Sequence, residues 1–408
     1  MRLALQHPTK KAHAKLTITG SKSETNRLLL LQALYPQLTI ENQSNSDDSV
    51  AMRKALHTEG KLKDIHHAGT AMRFLTAYFA TKENSDIVLT GSQRMQERPI
   101  ALLVDALNAL GGNISYTKEE GYPPISIIGK QLEGGEVTLP ANISSQYISA
   151  LLLIAPKLAQ GLTLNLEGEI TSLPYIKMTL SLLERLGIKT NFGGKTIHIP
   201  YQAAVKKQVQ VVESDWSSAS YWFSTLALAE EGEIHLSNYR KDSLQGDAVL
   251  RTIYRLLGVE SYFEGNTLIL KKEASFVIPQ KIELDLVEAP DIAQTIAVSC
   301  YGLGVACDLA GLHTLKIKET DRLLALEKEL GKLGATITVD DKSLQLAAKQ
   351  SFNADQLIDT YHDHRMAMAF APLGLKIPLT INDAGVVSKS YPGFWEDLKS
   401  TGFQVVEK

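Results

Sequence analysis

Residues Gly20 to Arg27 read Gly-Ser-Lys-Ser-Glu-Thr-Asn-Arg, between a short alternating run (Ala14, Leu16, Ile18) and the apolar block Leu28 to Leu31. The order implied is strand, glycine turn, helix. Ser21 with Glu24 three residues on has capping-box spacing, which makes Ser21 the expected N-cap. A helix N-terminus then opens beside Lys22, Ser23 and Arg27. Free backbone donors, the positive dipole end and two cations within two turns suit a phosphate or a carboxylate. An ordinary capped surface helix would use the same residues with no ligand.

The pattern recurs along the chain. His67-Ala68-Gly69-Thr70 puts Gly-Thr at a helix start with Arg73 in the first turn; Gly91 to Pro99 contains Arg94 and Arg98; Ser144-Ser145-Gln146 opens an apolar helix. Lys316, Lys318, Glu319, Asp321 and Arg322 crowd the approach to another helix, Asp363-His364-Arg365 opens the next, and Ser388-Lys389-Ser390 precedes the last. Lys and Arg are not favoured at the positive end of a helix dipole. Their repetition there predicts an anion that supplies the compensating charge. Arg is suited to bidentate contact with phosphate or carboxylate, so several such groups imply a multiply anionic ligand. Both halves of the sequence supply them, and the ligand is expected between two domains.

Two carboxylates stand out in this cationic setting. Asp291 follows Pro290 at a helix start, and Glu319 lies between Lys318 and Arg322. Either could be a general acid or base, its affinity for a proton set by neighbouring cations and desolvation. Salt bridging to the same cations is the alternative. His362-Asp363-His364, with His57, His66 and His67, could be assembled into a metal-ligand set, but Arg365 and the lack of an HExxH-like spacing argue against a metal. Asp215-Trp216-Ser217-Ser218 reads as an N-cap and a core aromatic, without nucleophile-elbow context.

The elements that must position these residues follow from composition and period. With 408 residues, 44% hydrophobic and 21% charged, the chain is an ordinary globular protein of two or three domains. A net charge of −3 gives no bulk attraction to nucleic acid, so a cationic site must be a local concentration. Two cysteines, Cys300 and Cys307, exclude a disulfide scaffold and are expected to be buried thiols. Met1 to Leu16 lacks the apolar stretch of a signal peptide, and no apolar run approaches the ~18 residues of a membrane span. The expectation is a cytoplasmic protein with no membrane partner.

A helical apolar pattern stops at Leu110-Gly111, Leu186-Gly187, Leu257-Gly258 and Leu333-Gly334, whose glycines lie 76, 71 and 76 residues apart. Hairpins are expected after each: Ile114 to Ile128, Ile188 to Ile199 around Gly193-Gly194, Val259 to Leu270 around Gly265-Asn266, and Ala335 to Leu346 around Asp340-Asp341. Weaker copies, Met52 to Gly60 and Phe394 to Gly402, flank the series. Each module carries a second helix: Ser23 to Leu34, Thr70 to Phe79, Ser145 to Lys157, Asp215 to Ala229, Asp291 to Tyr301 and His364 to Leu375. Six modules suggest two pseudo-symmetric domains of three, an α/β (α+β) protein by internal duplication.

Taken together, Gly20-Ser21-Lys22-Ser23 with Asn26-Arg27, Ala68-Gly69-Thr70-Ala71-Met72-Arg73, Arg94-Met95 with Glu97-Arg98-Pro99-Ile100, Ser144-Ser145-Gln146, Lys318-Glu319-Thr320-Asp321-Arg322 and Asp363-His364-Arg365-Met366-Ala367-Met368 resemble the 5-enolpyruvylshikimate-3-phosphate synthase family. The motifs keep the family's order over essentially the whole chain. The resemblance implies an inside-out α/β barrel of two domains, each of three βαβαββ modules, residues 1–19 with 214–408 and residues 20–213, with the active site in the cleft. It implies transfer of the enolpyruvyl group of phosphoenolpyruvate to the 5-hydroxyl of shikimate 3-phosphate, by a monomer that needs neither metal nor organic cofactor and binds no nucleic acid.

Residue by residue, it assigns Lys22, Ser23, Arg27, Ser144, Ser145, Gln146, Ser172, Tyr175, Asp291, Thr314 and Lys318 to shikimate 3-phosphate. Phosphoenolpyruvate takes Lys22, His67, Gly69, Arg98, Gln146, Arg322, Arg365 and Lys389. Asp291, Glu319 and Lys22 are the implied catalytic set, with Asp291 facing the reacting hydroxyl and Glu319 the methylene carbon. His67 stands where the family usually has Asn, Phe74 where it has Pro and Thr314 where it has Asn, and the segment 48–67 is short. Two other readings are an enolpyruvyltransferase acting on UDP-N-acetylglucosamine, which typically uses a loop cysteine, and a non-catalytic anion-binding relative.

Overall fold

The computed structural model describes residues 1–142, 144–170, 173–348 and 352–408. Within it the glycine stops share one backbone conformation: Gly60, Gly111, Gly187, Gly258, Gly334 and Gly402 all have φ between +79° and +104°. In that region a side chain costs about 1–2 kcal/mol, so glycine is what lets each helix end and the chain turn back into a strand. The helices that precede them, Asp47–His57, Ala101–Ala109, Leu173–Arg185, Leu250–Arg255, Arg322–Lys332 and Phe394–Ser400, bury one face and expose the other.

Six of the remaining helices are of a different kind. Gly69–Thr81 buries every residue from Gly69 to Ala80, and Trp216–Leu228 buries all but Ser217. Lys22–Leu34, Ser145–Ile154, Ala293–Leu303 and His364–Phe370 are nearly as enclosed. A helix buried on all sides is an interior element. These are the second helices expected from the sequence, with one systematic difference. Two of them tighten into 3-10 turns, Ala155–Lys157 and Ala371–Leu375, where Pro156 and Pro372 remove a backbone donor.

The chain divides into two compact units, Gly20–Val212 and Met1–Thr19 with Glu213–Lys408. In Gly20–Val212 the interior helices Lys22–Leu34, Gly69–Thr81 and Ser145–Ile154 pack on one another, with sheets outside them. Strands Leu62–Asp64 and Asp86–Thr90 run parallel, joined by an interior helix, and continue into the antiparallel pair Ile125–Ile128 and Ile114–Tyr116. Gly135–Pro140, Leu162–Glu167, Thr196–Ile199 and Asn191–Gly193 repeat that pattern. In the third sheet Leu38–Glu41 pairs in parallel with Gln208–Val211 alone among the described residues. The short segment 48–67 is the reason, because helix Asp47–His57 leads directly into strand Leu62–Asp64 of the next sheet.

The other unit has three four-stranded sheets around Trp216–Leu228, Ala293–Leu303 and His364–Phe370. In one of them the two terminal strands supply the antiparallel pair: Leu3–Gln6 runs against Gln404–Glu407, and Lys408 N–H donates to Arg2 O at 3.0 Å. Hydroxyls join its interior helices, as in Ser220 Oγ to Thr295 Oγ1 at 3.1 Å and Ser299 Oγ to Ser224 Oγ at 2.8 Å. Small side chains at these positions let the helices approach closely without leaving a buried donor unmet.

Each unit also closes on itself where the chain passes from one to the other. Val212 N–H donates to Glu41 O at 3.0 Å and Asn42 Nδ2 to Val212 O at 2.8 Å. A Cβ on Gly20 would lie 1.9 Å from Asn42 O and 2.7 Å from Val212 Cγ1, so only glycine fits there. In the other unit Ser214 Oγ donates to Ile18 O and Asp215 N–H to Thr19 O at 3.4 Å.

The capping box expected at Ser21 is not formed. Ser21 occupies the N-cap position but its side chain makes no capping bond. Glu24, 1% exposed, lies with Oε1 3.6 Å from Arg185 instead of reaching back to the helix start. A partner for a buried charge outweighs a cap of about 1 kcal/mol.

Candidate functional site

Arg322 is the centre of the charged cluster in the unit that contains Glu213–Lys408. It opens helix Arg322–Lys332 behind Asp321, whose Oδ1 accepts from the Leu323 and Leu324 N–H groups at 3.2 Å. Only 2% of Arg322 is exposed, and each of the three guanidinium nitrogens meets a different carboxylate. Nε donates to Asp363 Oδ2 at 2.6 Å, Nη1 to Asp291 Oδ1 at 2.9 Å and Nη2 to Glu319 Oε2 at 2.8 Å. Burial would push the guanidinium pKa down, but Asp363, Glu319 and Asp291 outweigh it and hold the pKa above its ordinary value. Lys318 Nζ lies 3.4 Å from Asp291 Oδ1, and Arg365 Nη2 is 3.2 Å from Asp291 Oδ2. Asp291 therefore sits among three cations.

The turn before helix His364–Phe370 sets this geometry. Tyr361 and His362 hold φ of +53° and +56°, a left-handed conformation that is uncommon for side chains of this size. Three contacts hold the turn: the Tyr361 hydroxyl to Glu329, His362 Nδ1 to Asp383 Oδ2 at 2.8 Å, and Lys389 Nζ to His362 O at 2.7 Å. Asp363 then does two things at once. Oδ1 caps the helix by accepting from Arg365 N–H at 2.8 Å while Oδ2 takes Arg322. The compensating charge at these helix starts thus comes in part from the protein's own carboxylates, and the salt bridges weighed for Asp291 and Glu319 are present. Thr314, in the 3-10 helix His313–Ile317, has a buried hydroxyl with no hydrogen-bond partner among the described residues.

In Gly20–Val212 the interior helix starts carry the candidate residues. Lys22 is the first residue of Lys22–Leu34, and its Nζ lies 4.0 Å from Asp48 Oδ1. Ser23, beside it, is half-buried. Arg27 is buried and knits three helices, donating to Thr179 Oγ1 at 2.8 Å, Ser23 O at 2.8 Å, Ser149 Oγ at 2.9 Å and Tyr175 O at 3.4 Å. Burial lowers its pKa to about 10, so it stays charged at neutral pH. The Tyr175 ring centroid is 5.9 Å from the guanidinium carbon of Arg27. Ser144 caps Ser145–Ile154 by accepting from Gln146 N–H, and Gln146 Nε2 donates to Thr70 Oγ1 at 3.2 Å, tying two interior helix starts together. Ser145 is 8% exposed. His67 Nδ1 lies 2.6 Å from His66 Nδ1, with Nε2 3.8 Å from Asp47 Oδ2. Ser172 lies outside the described residues.

Gly69 and Arg98 are neighbours for a steric reason. A Cβ on Gly69 would lie 2.5 Å from Arg98 Nη1. Arg73, fully buried, holds the loop that carries Arg98 by donating to Pro99 O at 2.9 Å, and the Tyr147 hydroxyl bonds the same carbonyl. Gly69→Ala is expected to push the flexible Arg98 guanidinium aside with little loss of stability. The check is steady-state kinetics: if Arg98 binds an anionic substrate, its KM rises several-fold, and an unchanged KM would separate Gly69 from the site.

Sequence reasoning missed three participants, Asp363 as a ligand of Arg322, and Ser217 with Asp247. Asp247 begins a helical apolar run (Leu250, Ile253, Tyr254, Leu257) and reads locally as a first-turn dipole partner. In the structure it is buried and accepts from Ser217 Oγ, which in turn accepts from Arg365 Nη2 at 3.3 Å. Among the described residues no group of three or more His, Cys, Asp or Glu is arranged to hold a metal ion, and no helix is long and apolar enough to cross a membrane.

A family model described as EPSP synthase (3-phosphoshikimate 1-carboxyvinyltransferase) matches residues 57–398. The chain is 42% identical to the 3-phosphoshikimate 1-carboxyvinyltransferase of Bacteroides fragilis, over 99% of each chain. It is 35% identical to that of Pseudoalteromonas translucida, over 96% of this chain and 98% of the relative. Among solved structures, EPSP synthase from Acinetobacter baumannii superposes with a TM-score of 0.81 at 21% identity, covering all of both chains. The enolpyruvyl transferase NikO from Streptomyces tendae does so with a TM-score of 0.76 at 14% identity, which shows the shared fold alone. With the family model spanning most of its length and relatives matched end to end, the chain belongs to the EPSP synthase family.

Proposed function

We propose that the residues above carry out the reaction of this family in assigned roles. The reaction moves the enolpyruvyl group of phosphoenolpyruvate to the 5-hydroxyl of shikimate 3-phosphate, on the shikimate pathway to chorismate, and releases phosphate. The hydroxyl oxygen attacks C2 of phosphoenolpyruvate and gives up its proton to Asp291. Glu319 protonates the methylene carbon, forming a tetrahedral adduct. Removal of that carbon's proton with loss of phosphate then gives the enol ether. Arg322, Arg365, Lys389, Lys22, Arg98, Gly69, His67 and Gln146 are assigned to phosphoenolpyruvate, the cations among them to its anionic groups. Shikimate 3-phosphate takes Lys22, Ser23, Arg27, Ser144, Ser145, Gln146, Ser172 and Tyr175 together with Asp291, Thr314 and Lys318. Two anionic substrates repel until fixed cations hold them at attack distance.

One observation carries the assignment of roles: Asp291 and Glu319 share Arg322, so two carboxylates that must exchange protons are held in one fixed frame. Both of them and all the assigned cations come from one polypeptide, which supports a monomer as the working unit. We assign it to the cytoplasm, where its phosphorylated substrates are retained by their charge. Against the UDP-N-acetylglucosamine reading, Cys300 lies in helix Ala293–Leu303 and Cys307 in strand Ala306–Ala310, both fully buried and neither in a loop. The test is phosphate release by the purified protein. Release is expected only with phosphoenolpyruvate and shikimate 3-phosphate together; equal release with UDP-N-acetylglucosamine would overturn the assignment.

A further inference from the structure

Arg365 is held from two sides. Its Nη2 is 3.2 Å from Asp291 Oδ2 and 3.3 Å from Ser217 Oγ, while Nε is buried without a hydrogen-bond partner among the described residues. Ser217 is the one residue of its interior helix that is not buried, and its hydroxyl hydrogen is committed to Asp247. A hydroxyl has one proton to give and two lone pairs to offer. Donating to Asp247 therefore turns a lone pair of Ser217 towards Arg365. Asp247 itself, 6% exposed in the 3-10 turn Gly246–Val249, has no role in the chemistry assigned above.

We propose that Asp247 is a positioning residue that, through Ser217, aims the Arg365 guanidinium, and that it takes up a proton from solvent when an anionic group of phosphoenolpyruvate binds there. This rests on the assignment of Arg365 to phosphoenolpyruvate. The groups that face Asp247 are Ser217 and Asp215 from helix Trp216–Leu228 and its cap, Asp291 from the turn Pro290–Ile292, and Arg365 from helix His364–Phe370. Burial, and then the charge of Asp291, raise the Asp247 pKa to about 7, against the pull of Arg365 and the Ser217 hydrogen bond. Arg365 faces Asp291, the Tyr221 hydroxyl, Asp247 and Asp215, which keep its own pKa well above the ordinary value despite burial. An incoming anion adds negative charge to a region that already holds three carboxylates. Asp247, buried and with its pKa raised to about 7, can take up a proton there and relieve the repulsion.

The sign follows from the raised pKa. Protonated Asp247, the form present below about pH 7, favours the anion, and ionised Asp247 opposes it. At saturating shikimate 3-phosphate, kcat/KM for phosphoenolpyruvate is expected to fall above pH 7 by up to about tenfold per pH unit, the slope of one linked proton. Asp247→Asn should remove that part of the slope, and Asp247→Glu should retain it. The ionisation of phosphoenolpyruvate is common to all three proteins and cancels in the comparison. Ser217→Ala keeps Asp247 but cuts the bridge, and its loss should fall on KM for phosphoenolpyruvate rather than on kcat.

A wild-type slope in Asp247→Asn would overturn the proposal, as would a wild-type KM in Ser217→Ala, which needs no substitution at Asp247. Arg365→Met separates the two levels of inference. If it leaves KM for phosphoenolpyruvate unchanged, the assignment of Arg365 fails and this proposal with it. If it raises KM while Asp247→Asn keeps the slope, only the proposal for Asp247 fails.

Discussion

Asp291→Asn is expected to lower turnover by roughly 10²- to 10⁴-fold, the usual contribution of a positioned acid–base group. Asn is close to isosteric with Asp, so Arg322 Nη1 keeps an oxygen acceptor at the position now 2.9 Å away. What is lost is the ability to accept a proton from the attacking hydroxyl. The substitution also removes one negative charge from among Lys318, Arg322 and Arg365. KM for phosphoenolpyruvate should therefore stay level or fall, since the site becomes more cationic. Phosphate-release kinetics and calorimetric binding of shikimate 3-phosphate, read together, test this. Turnover within tenfold of the wild type would remove Asp291 as the base, and lost binding would assign it to the ligand rather than to the chemistry.

Arg322→Met is expected to destabilise the protein as well as silence it. The side chain is buried against Asp363, Asp291 and Glu319, and Asp363 is fully buried. Removing the cation that Asp363, fully buried, shares with the half-buried Asp291 and Glu319 costs about 3–5 kcal/mol. For a unit of this size that lowers the melting temperature by roughly 6–20 °C. Arg322→Lys should fall between, because one ammonium cannot meet three carboxylates at Arg322's fork of 2.6–2.9 Å contacts. A shift under 2 °C for Arg322→Met in thermal denaturation would show that the carboxylates do not depend on this charge.

What could be read from the sequence was whatever depends on nearby residues. A glycine that must hold positive φ ends a helix wherever it stands, and all six stops were visible for that reason. The interior helices were legible because apolar and small residues fill them, as in Gly69–Thr81, where Arg73 is the one charged residue. The Ser21 capping box failed because Glu24 found Arg185, which only the tertiary fold brings near. Arg322 shows both cases in one side chain. Glu319, three positions away, lies within any local window, whereas Asp291 and Asp363 are 31 and 41 positions away. The pairing of Ser217 with Asp247 spans 30 positions and left no local sign, so its serine read only as part of a helix start.

The way the chain passes between its units has a genetic consequence. Gly20 and Val212 stand side by side in one unit, as Ile18 and Ser214 do in the other. The segment Gly20–Val212 is thus an insertion with neighbouring ends, placed in a host whose own first and last strands pair. Such a chain is expected to tolerate rearrangement of its reading order. Joining Thr19 to Glu213 would restore a continuous host without breaking a strand, and the excised segment would leave with every one of its sheets whole. Fusing Lys408 to Met1 would open the further choice of new termini by circular permutation. The candidate ligands of each unit could then be varied, exchanged and recombined as separate cassettes.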